Sequence, residues 1–436
     1  MKKLTVIGRL FSCGVLSLGL MSCQLPAQDN PTDSVAGQKM ATPENAELQL
    51  AALDPADRNQ SGKMRFPARA DNLLDYGDPN FKSFIRNLKN SARQSVHILQ
   101  LGDSHTAADV FSGQLRARFQ GRFGDGGIGL LPPGAFNGIR QNTVRISAKN
   151  QWDLSSTRSS GAALLPIGGY AALPNVDEAS LTVSSRNEDM LSYRLSLLYQ
   201  ASRENRVQLG DGKSLFLNSS GSDWVLSKPV SNIYLPLEIT LKNRADFSLG
   251  GLYLTASGNS GVIYSASGVN GATQMDWDKW APSWPKSLQA LAPDMVVLAY
   301  GSNEATHPKL DLADYRATLT RNIQTVRQAL PDAVILLLGA PDSMRANKAG
   351  KNRAQINCRT QQPVNLSNVI EIQRAVARKE KTLFWGWQDY MGGVCSMQKW
   401  NRAGLARDDL VHFTAEGYKN SANALYQALQ ALGNFR

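Results

Sequence analysis

The stretch VHILQLGDSHT, residues 96–106, joins a run of mostly apolar residues to a tight polar turn. Residues 96–101 have the composition of a buried β-strand, and residues 102–106 supply the small and polar side chains typical of a turn. Apolar side chains then recur at i, i+4 spacing, which predicts a helix. They are Phe111, Leu115, Phe119 and Phe123. A strand, a sharp turn and a helix form the context in which a nucleophile lies at the carboxyl end of a strand.

The alternation of strands and helices returns in the second half of the chain. Strands are predicted at 295–300, 333–338 and 382–385, and helices around 319–330, 369–376 and 418–432, with Thr414 as the N-cap of the last helix. Strands that alternate with helices imply a mainly parallel sheet covered on both faces, which is a three-layer α/β/α fold.

The segment 142–255 has a different pattern. Short β-rich runs recur between polar turns, and no amphipathic helix separates them. The runs are 191–199, 214–217, 224–226, 233–241 and 247–254. We therefore predict an inserted β-sandwich at 142–255. It divides the α/β domain into a first part, 66–141, and a second part, 256–436.

The N-terminus predicts export. A positive start and a short apolar stretch, too short to span a membrane, identify residues 1–22 as a signal peptide. Leu20-Met21-Ser22-Cys23 resembles a bacterial lipobox, which predicts lipidation of Cys23; ordinary signal cleavage a few residues later is the alternative. Gln24, rather than Asp, favours sorting to the outer membrane. Residues 23–65 are polar and rich in Pro and Ala, as in a flexible tether. We expect a periplasmic lipoprotein anchored in the outer membrane.

Charge and length exclude some classes of function. The chain has 436 residues, which is enough for one large domain with an elaboration or for two domains, and its net charge is +11. A basic surface could indicate nucleic acid, but an exported protein rarely meets any. The charge therefore favours an anionic envelope polymer or a membrane surface.

Two cysteines remain once the signal peptide and the lipobox are set aside. Cys358 and Cys395 are an even pair in an oxidising compartment, so we predict a disulfide between them. A Cys–His metal site is the rival interpretation. It is disfavoured because the chain has only four His residues and none lies at ligand spacing to a Cys.

Two motifs supply a nucleophile and a base. Gly102-Asp103-Ser104 places a hydroxyl where the N-terminus of a helix can stabilise developing negative charge. In Asp409-Leu410-Val411-His412 the three-residue offset lets the carboxylate bind the imidazole Nδ1, which leaves Nε2 to accept the serine proton. Asp408 competes as the carboxylate, and the offset favours Asp409. Each motif alone also matches an ordinary turn or a surface histidine.

Two further motifs offer hydrogen-bond donors to an oxyanion. Asn303 follows the predicted strand 295–300, at the sheet edge where open α/β sheets bind ligands, although Asn is also a common turn residue. In Gly268-Val269-Asn270-Gly271-Ala272 the two glycines allow close backbone approach, and one N–H can join the same site. The spacing alone leaves open whether Gly268 or Gly271 supplies it. His97 and His105 are interpreted as structural and His307 as a loop residue.

In order along the chain, these motifs resemble the Ser, Gly, Asn and Asp-x-x-His blocks of the SGNH (GDSL-like) hydrolase superfamily. Over roughly residues 95–425 the chain looks like the Ape-type peptidoglycan O-acetylesterases of Gram-negative bacteria. The stretches that carry this resemblance are LGDSHTA at 101–107, GDGGIG at 124–129, VNGA at 269–272, YGSNEA at 300–305, FWGW at 384–387, MGGVCSM at 391–397 and VHF at 411–413.

The resemblance implies a triad of Ser104, Asp409 and His412, an oxyanion hole of Ser104, Gly271 and Asn303, and a carbohydrate-binding-module-like β insert. The implied substrate is the C6 O-acetyl group of N-acetylmuramic acid in peptidoglycan, hydrolysed without a metal or organic cofactor. The expected partners are O-acetylated peptidoglycan and, through the lipid anchor, the membrane. Nucleic acid is not expected as a partner, and we expect a monomer.

Three alternatives stay open. An SGNH O-acetyltransferase acting on cell-wall or exopolysaccharide glycans would use the same triad and pass the acetyl group to a sugar. A lipase or thioesterase of the superfamily would need a long apolar groove, whose size a sequence does not show. A wall-binding lipoprotein with a vestigial site is the third alternative, and the intact set of motifs argues against it.

Overall fold

The computed structural model describes residues 72–162, 164–187, 191–345 and 358–435. The predicted signal peptide at 1–22, the tether at 23–65 and Cys23 lie outside these residues, so they stay predictions. Among the described helices, none combines the length and the apolar composition that crossing a bilayer requires.

The first part of the chain supplies two strands of an α/β sheet, one at its edge and one in its interior. Its elements are β1 (Leu73–Asp75), α1 (Phe81–Lys89), β2 (Ser95–Gly102), α2 (Ser104–Ala107), α3 (Phe111–Phe123) and β3 (Gly129–Leu131). The strand and the helix predicted on either side of the turn at 102–106 are confirmed as β2 and α3. The turn itself contains the short helix α2, which starts at Ser104.

The β-rich region is built from antiparallel strands. They are β4 (Val144–Ala148), β5 (Trp152–Ser156), β6 (Tyr170–Pro174), β7 (Ser180–Ser185), β8 (Tyr193–Ala201), β9 (Asn205–Leu209), β10 (Ser214–Leu217), β11 (Val225–Leu226), β12 (Val230–Ile233), β13 (Leu237–Leu241) and β14 (Phe247–Ala256). One sheet has the order β10-β9-β13-β7-β4, and the other has the order β11-β8-β14-β6-β5, with β12 beside β8. Buried side chains of both sheets, such as Leu181 and Leu197, share one hydrophobic core.

Strand β3 also belongs to this β-rich region, although it precedes residue 142. It pairs antiparallel with β14, so that Leu131 lies opposite Leu252 and Gly129 opposite Leu254. The sheet therefore draws on residues before the predicted start of the insert. The boundaries at 142 and 255 stay a prediction.

The second half of the chain returns to strands and helices. Its elements are β15 (Gly261–Gly268), a 3₁₀ helix (Gln274–Lys279), α4 (Trp284–Leu291), β16 (Met295–Ala299), α5 (Ser302–Thr306), α6 (Leu312–Ala329), β17 (Val334–Leu338), α7 (Cys358–Gln361), α8 (Leu366–Lys379), β18 (Leu383–Trp385), α9 (Trp387–Met391), α10 (Ser396–Arg402) and α11 (Ala415–Gly433). The predicted strands are confirmed as β16, β17 and β18, and the predicted helices as α6, α8 and α11. Thr414 caps α11 by accepting the Gly417 N–H at 3.2 Å.

The α/β sheet has the strand order β1-β18-β17-β16-β2-β15, and its neighbours run parallel except at the β1 edge. Ile98 of β2 faces a core that includes α1, α3 and α11, whereas the adjacent Leu99 faces a second core that includes α4, α6 and α8. Side chains alternate across a strand, so both faces are covered and the three-layer prediction is confirmed.

The register of this sheet brings three chain segments together at the carboxyl ends of its strands. Gly102 at the end of β2 lies opposite Gly268 of β15 and Ala299 of β16. The segments that follow these strands therefore leave the sheet side by side. They carry Ser104, Gly271 and Asn303, the three residues predicted to surround an oxyanion.

Candidate active site

The nucleophile turn is tight enough to require glycine before it. A Cβ on Gly102 would lie 2.7 Å from the Ala299 carbonyl oxygen, closer than a side chain tolerates. Asp103 then caps α2, because its carboxylate accepts the His105 N–H at 2.9 Å. Ser104 is the first residue of that helix. Its hydroxyl is consequently held at the carboxyl end of β2.

Ser104, His412 and Asp409 are linked by a continuous chain of hydrogen bonds. The Ser104 Oγ lies 2.9 Å from His412 Nε2, and His412 Nδ1 lies 2.9 Å from Asp409 Oδ2. The other oxygen, Asp409 Oδ1, accepts the backbone N–H groups of Val411 at 2.9 Å and His412 at 2.8 Å. The structure thus brings the three predicted residues together in the order that nucleophilic catalysis by serine needs.

The loop that carries the base is shaped by Leu410. This residue is buried and has a φ of +58°, so the chain reverses between Asp409 and His412. Burial alone would raise the pKa of Asp409, but hydrogen bonds from the side chain and backbone of His412 outweigh it and lower that pKa to about 2. Asp409 is therefore ionised at neutral pH and can hold a proton on Nδ1 of His412. Asp408 is exposed and accepts from the Asn401 side chain at 3.3 Å.

The predicted oxyanion donors lie on a turn and a short helix that hold each other. Residues 269–272 form a β-turn closed by the Ala272 N–H, which donates to the Val269 carbonyl at 3.0 Å. Gly271 has a φ of +77°, as the third position of a type II turn requires. Asn303 Nδ2 donates to the Ala272 carbonyl at 2.8 Å. A side-chain amide has two N–H bonds, so the second is left for another acceptor.

Gly268 and Gly271 occupy different environments. Gly268 ends β15, and a Cβ there would lie 2.6 Å from the Asp103 carbonyl oxygen. Gly271 lies in the turn, and within the described part of the chain its N–H has no hydrogen-bond acceptor. The Gly271 N–H is therefore available to a ligand, and the preference for Gly271 over Gly268 stays a prediction.

Two buried carboxyl groups near the site have no predicted role. Glu304 accepts the backbone N–H groups of Gln274 at 2.7 Å and Gly301 at 3.0 Å, and so joins the start of the 3₁₀ helix to the start of α5. Burial raises the pKa of Glu304 to about 7, and burial likewise raises the pKa of Asp103 to about 7. The motif containing Asn303 includes Glu304, but only the three-dimensional structure shows that this carboxyl group is buried.

His97, in β2, and His105, in α2, are both buried. His105 Nδ1 lies 3.0 Å from the Tyr418 hydroxyl, and its ring centroid lies 5.5 Å from that of His412. His97 Nε2 lies 2.7 Å from Ser265 Oγ. Burial lowers the pKa of His105 to about 3 and that of His97 to about 4, so both are neutral at physiological pH. These contacts agree with a structural role for both.

The predicted disulfide is present. Cys358 and Cys395 are bonded, with their Cα atoms 5.5 Å apart, and they join the start of α7 to the residue before α10. In the described part of the chain, no three His, Cys, Asp or Glu side chains are grouped closely enough to hold a metal ion. The expectation that no cofactor is needed stays a prediction.

Two family models match the chain. The model described as peptidoglycan O-acetylesterase, N-terminal, matches residues 126–238. The model described as the GDSL-like lipase/acylhydrolase family matches residues 246–419. The second match includes Gly271, Asn303, Asp409 and His412, and it shows that the α/β part is a GDSL-like (SGNH) hydrolase. None of the curated proteins matches the chain significantly.

Solved structures agree with these matches. A peptidoglycan O-acetylesterase structure is 32% identical, covers 84% of this chain and 100% of its own, and superposes with a TM-score of 0.74. Family two carbohydrate esterases from Clostridium thermocellum and Cellvibrio japonicus are each 12% identical. They cover 66% and 67% of this chain and 98% of their own, with TM-scores of 0.27 and 0.26, which are too low to inform its function. The chain is a serine esterase and belongs to the peptidoglycan O-acetylesterase family.

Proposed function

We propose that the protein removes the O-acetyl group from C6 of N-acetylmuramic acid in peptidoglycan, through an acetyl ester on Ser104. The observation that carries the proposal is the hydrogen-bonded chain from Ser104 through His412 to Asp409, with 2.9 Å at each link. Membership of the peptidoglycan O-acetylesterase family supports this choice of substrate.

In the proposed acylation step, His412 Nε2 takes the Ser104 proton as Oγ attacks the acetyl carbonyl carbon. The negative charge that develops on the carbonyl oxygen is stabilised by the N–H groups of Ser104 and Gly271 and by the second Nδ2–H of Asn303. His412 then gives its proton to the C6 oxygen as the ester bond breaks. The sugar leaves with a hydroxyl group, and the acetyl group stays on Ser104.

Deacylation repeats these roles with water in place of the serine hydroxyl. His412 Nε2 takes a proton from water as the water oxygen attacks the carbonyl carbon of acetyl-Ser104. The ester bond to Ser104 then breaks, His412 returns the proton to Oγ, and acetate is released. Asp409, held ionised by its hydrogen bonds to His412, stabilises the imidazolium in both steps.

The test is acetate release from O-acetylated peptidoglycan by the purified protein, with base-treated peptidoglycan, which lacks the esters, as the control substrate. We expect acetate only from the acetylated polymer, and only with Ser104 present. Transfer of the acetyl group to added glycan hydroxyls in preference to water would instead favour the O-acetyltransferase. Faster turnover of octanoyl than of acetyl esters would favour the lipase.

We also propose that the β-rich region is a β-sandwich insert that binds sugar, in the manner of a carbohydrate-binding module. Two antiparallel sheets with a common core support this. Phe216 is 71% exposed and Tyr234 57% exposed, and aromatic faces of this kind can stack on sugar rings. Weaker sedimentation of the Phe216→Ala variant with insoluble peptidoglycan, at unchanged activity on a small aryl acetate, is the expected result. Equal sedimentation of the variant and the native protein would contradict sugar binding at this surface.

The membrane anchor is a proposal that rests on sequence alone. We propose that Cys23 carries lipid, that the protein is held at the outer membrane as a periplasmic monomer, and that residues 23–65 let it reach the cell wall. Metabolic labelling with a fatty acid should mark the native protein and not the Cys23→Ser variant. Label on both proteins would reject lipidation at Cys23.

A further inference from the structure

The β-rich region places an arginine over the proposed oxyanion turn. Arg158 follows β5, and its Nε lies 3.5 Å from the position that a Cβ on Gly271 would occupy. The guanidinium group therefore lies beside the turn at 269–272, on the side where a side chain at position 271 would project. A residue of the β-rich region thus lies beside one of the proposed oxyanion donors.

The backbone that carries Arg158 is fixed, although its side chain is not buried. The Thr157 N–H donates to the Gly169 carbonyl at 3.0 Å, and the Arg158 N–H donates to Ser156 Oγ at 3.2 Å. Lys279 Nζ donates to the Thr157 carbonyl at 2.6 Å and so ties this loop to the 3₁₀ helix. The Arg158 side chain is 52% exposed, so it faces solvent from a rigid support.

The guanidinium group of Arg158 makes only one long ion pair within the described part of the chain. Its Nη1 lies 3.8 Å from the Asp276 carboxylate, which is long for an ion pair. That carboxylate already accepts the Thr273 N–H at 2.8 Å and a Lys279 ammonium hydrogen, also at 2.8 Å. Asp276 is therefore neutralised without Arg158, and the guanidinium keeps donors for a ligand.

We propose that Arg158 determines specificity by binding a carboxylate of the muramic acid substrate while Ser104 attacks its C6 ester. This inference rests on the proposed function. Guanidinium groups bind carboxylates through two parallel N–H bonds. Because Arg158 is half exposed and its backbone is already fixed, binding a carboxylate costs it little desolvation and little backbone entropy. The lactyl ether of muramic acid is on C3 and the ester is on C6, so both groups lie on the side of the ring that contains C4.

Two carboxylates of peptidoglycan fit this chemistry. One is the lactyl carboxylate itself, which is free where the stem peptide has been removed. The other is a carboxylate of the stem peptide attached to that lactyl group. Neutral acetylated sugars have neither, so Arg158 would favour muramic acid over them without taking part in bond breaking.

The test compares kcat/KM on 6-O-acetyl-N-acetylmuramic acid, on its lactyl methyl ester and on 4-nitrophenyl acetate. We expect the native protein to favour the acid over the methyl ester by about tenfold, through a lower KM. Arg158→Gln should abolish this preference and leave the rates on both neutral substrates within about twofold. Arg158→Lys should keep part of the preference, and Arg203→Gln, which removes another exposed arginine of the insert, should keep all of it.

The stem-peptide source is tested by the same comparison on an acetylated muramyl dipeptide and its amidated form. A preference for the acidic form only in the dipeptide assigns Arg158 to the stem peptide, and a preference only in the free sugar acid assigns it to the lactyl group. An unchanged preference in Arg158→Gln, or an equal fall on all substrates, overturns the proposal. If the native protein hydrolyses the aryl acetate but no muramic ester, the proposed function is wrong, and the role of Arg158 is rejected with it.

Discussion

The two sides of the site are built in different ways. On the base side, Asp409 and His412 come from one loop, and their hydrogen bonds to each other and to Ser104 are already made. On the proposed oxyanion side, Gly271 comes from a turn and Asn303 from a short helix, joined by the bond from Asn303 Nδ2 to the Ala272 carbonyl. The base side is complete before substrate arrives, whereas the oxyanion side keeps donors open for it. Substitutions on the two sides should therefore differ in size and in their effect on folding.

The largest effect is expected on the base side. Ser104→Ala and His412→Ala should each reduce acetate release by about 10⁶-fold, because each removes a group that makes or breaks a bond. Their melting temperatures should stay near that of the native protein, since the Ser104 hydroxyl and the His412 ring are only partly buried. A residual rate near the native one in either variant would reject the triad.

Asp409→Asn should cost about 10⁴-fold in kcat, because an amide no longer holds the proton on Nδ1 of His412. Its neighbour offers a matched control. Asp408→Asn changes an exposed carboxylate outside the chain of hydrogen bonds and should stay within about threefold of the native rate. If Asp408→Asn proves the more damaging change, the carboxylate of the base side is misassigned.

On the oxyanion side, Asn303→Ala should lower kcat by about 10²- to 10³-fold, which is the usual cost of one oxyanion donor. It should also lower the free energy of unfolding by about 1 kcal/mol, because the bond to the Ala272 carbonyl is lost. Asn270→Ala in the same turn is the control, since its amide donates to the Gly138 carbonyl at an exposed position. Equal losses in the two variants would mean that the turn, and not a donor, matters.

The smallest effect on activity is expected from the disulfide. A variant with Cys358→Ser and Cys395→Ser, produced without residues 1–23, should lose about 4 kcal/mol of stability, because the bridge closes a loop with a sequence separation of 37. Activity at low temperature should stay within about twofold, since neither cysteine touches the triad. Two titratable thiols in the unfolded, unreduced protein that keeps both cysteines and is produced without residues 1–23 would show that the bridge does not form in solution.

The base side could be predicted from sequence because its chemistry is local. A carboxylate three residues before a histidine and a serine after a buried strand need no knowledge of distant contacts, and the apolar runs that formed β16 and β17 located the sheet edge. The two glycines at 268 and 271 likewise marked the loop that carries the proposed donor, although not its turn type. These features depend on short-range geometry that composition and spacing express directly.

The features missed by the sequence analysis depend on long-range packing. Strand β15 was not predicted, because Gly261–Gly268 is rich in Gly, Ser and Ala and becomes a strand only beside β2. The bond from Asn303 to the Ala272 carbonyl, the burial of Glu304 and the approach of Arg158 to Gly271 join segments that are far apart in the chain. These contacts form only when the β-rich region and the parts of the α/β domain pack together, and a local sequence pattern does not show which distant segments will meet.

The pairing of β3 with β14 also determines where the β-rich region can be deleted or exchanged. Deleting residues 142–255 would leave Gly129–Leu131 in place and remove the strand that pairs with it, so Leu131, which packs in the core of the β-rich region, would become solvent-exposed beside an unpaired backbone edge. The excised piece would lack a strand of its own sheet. The β-rich region thus shares a sheet with a segment that precedes residue 142, and a recombinant exchange between relatives should place its first junction before Gly129.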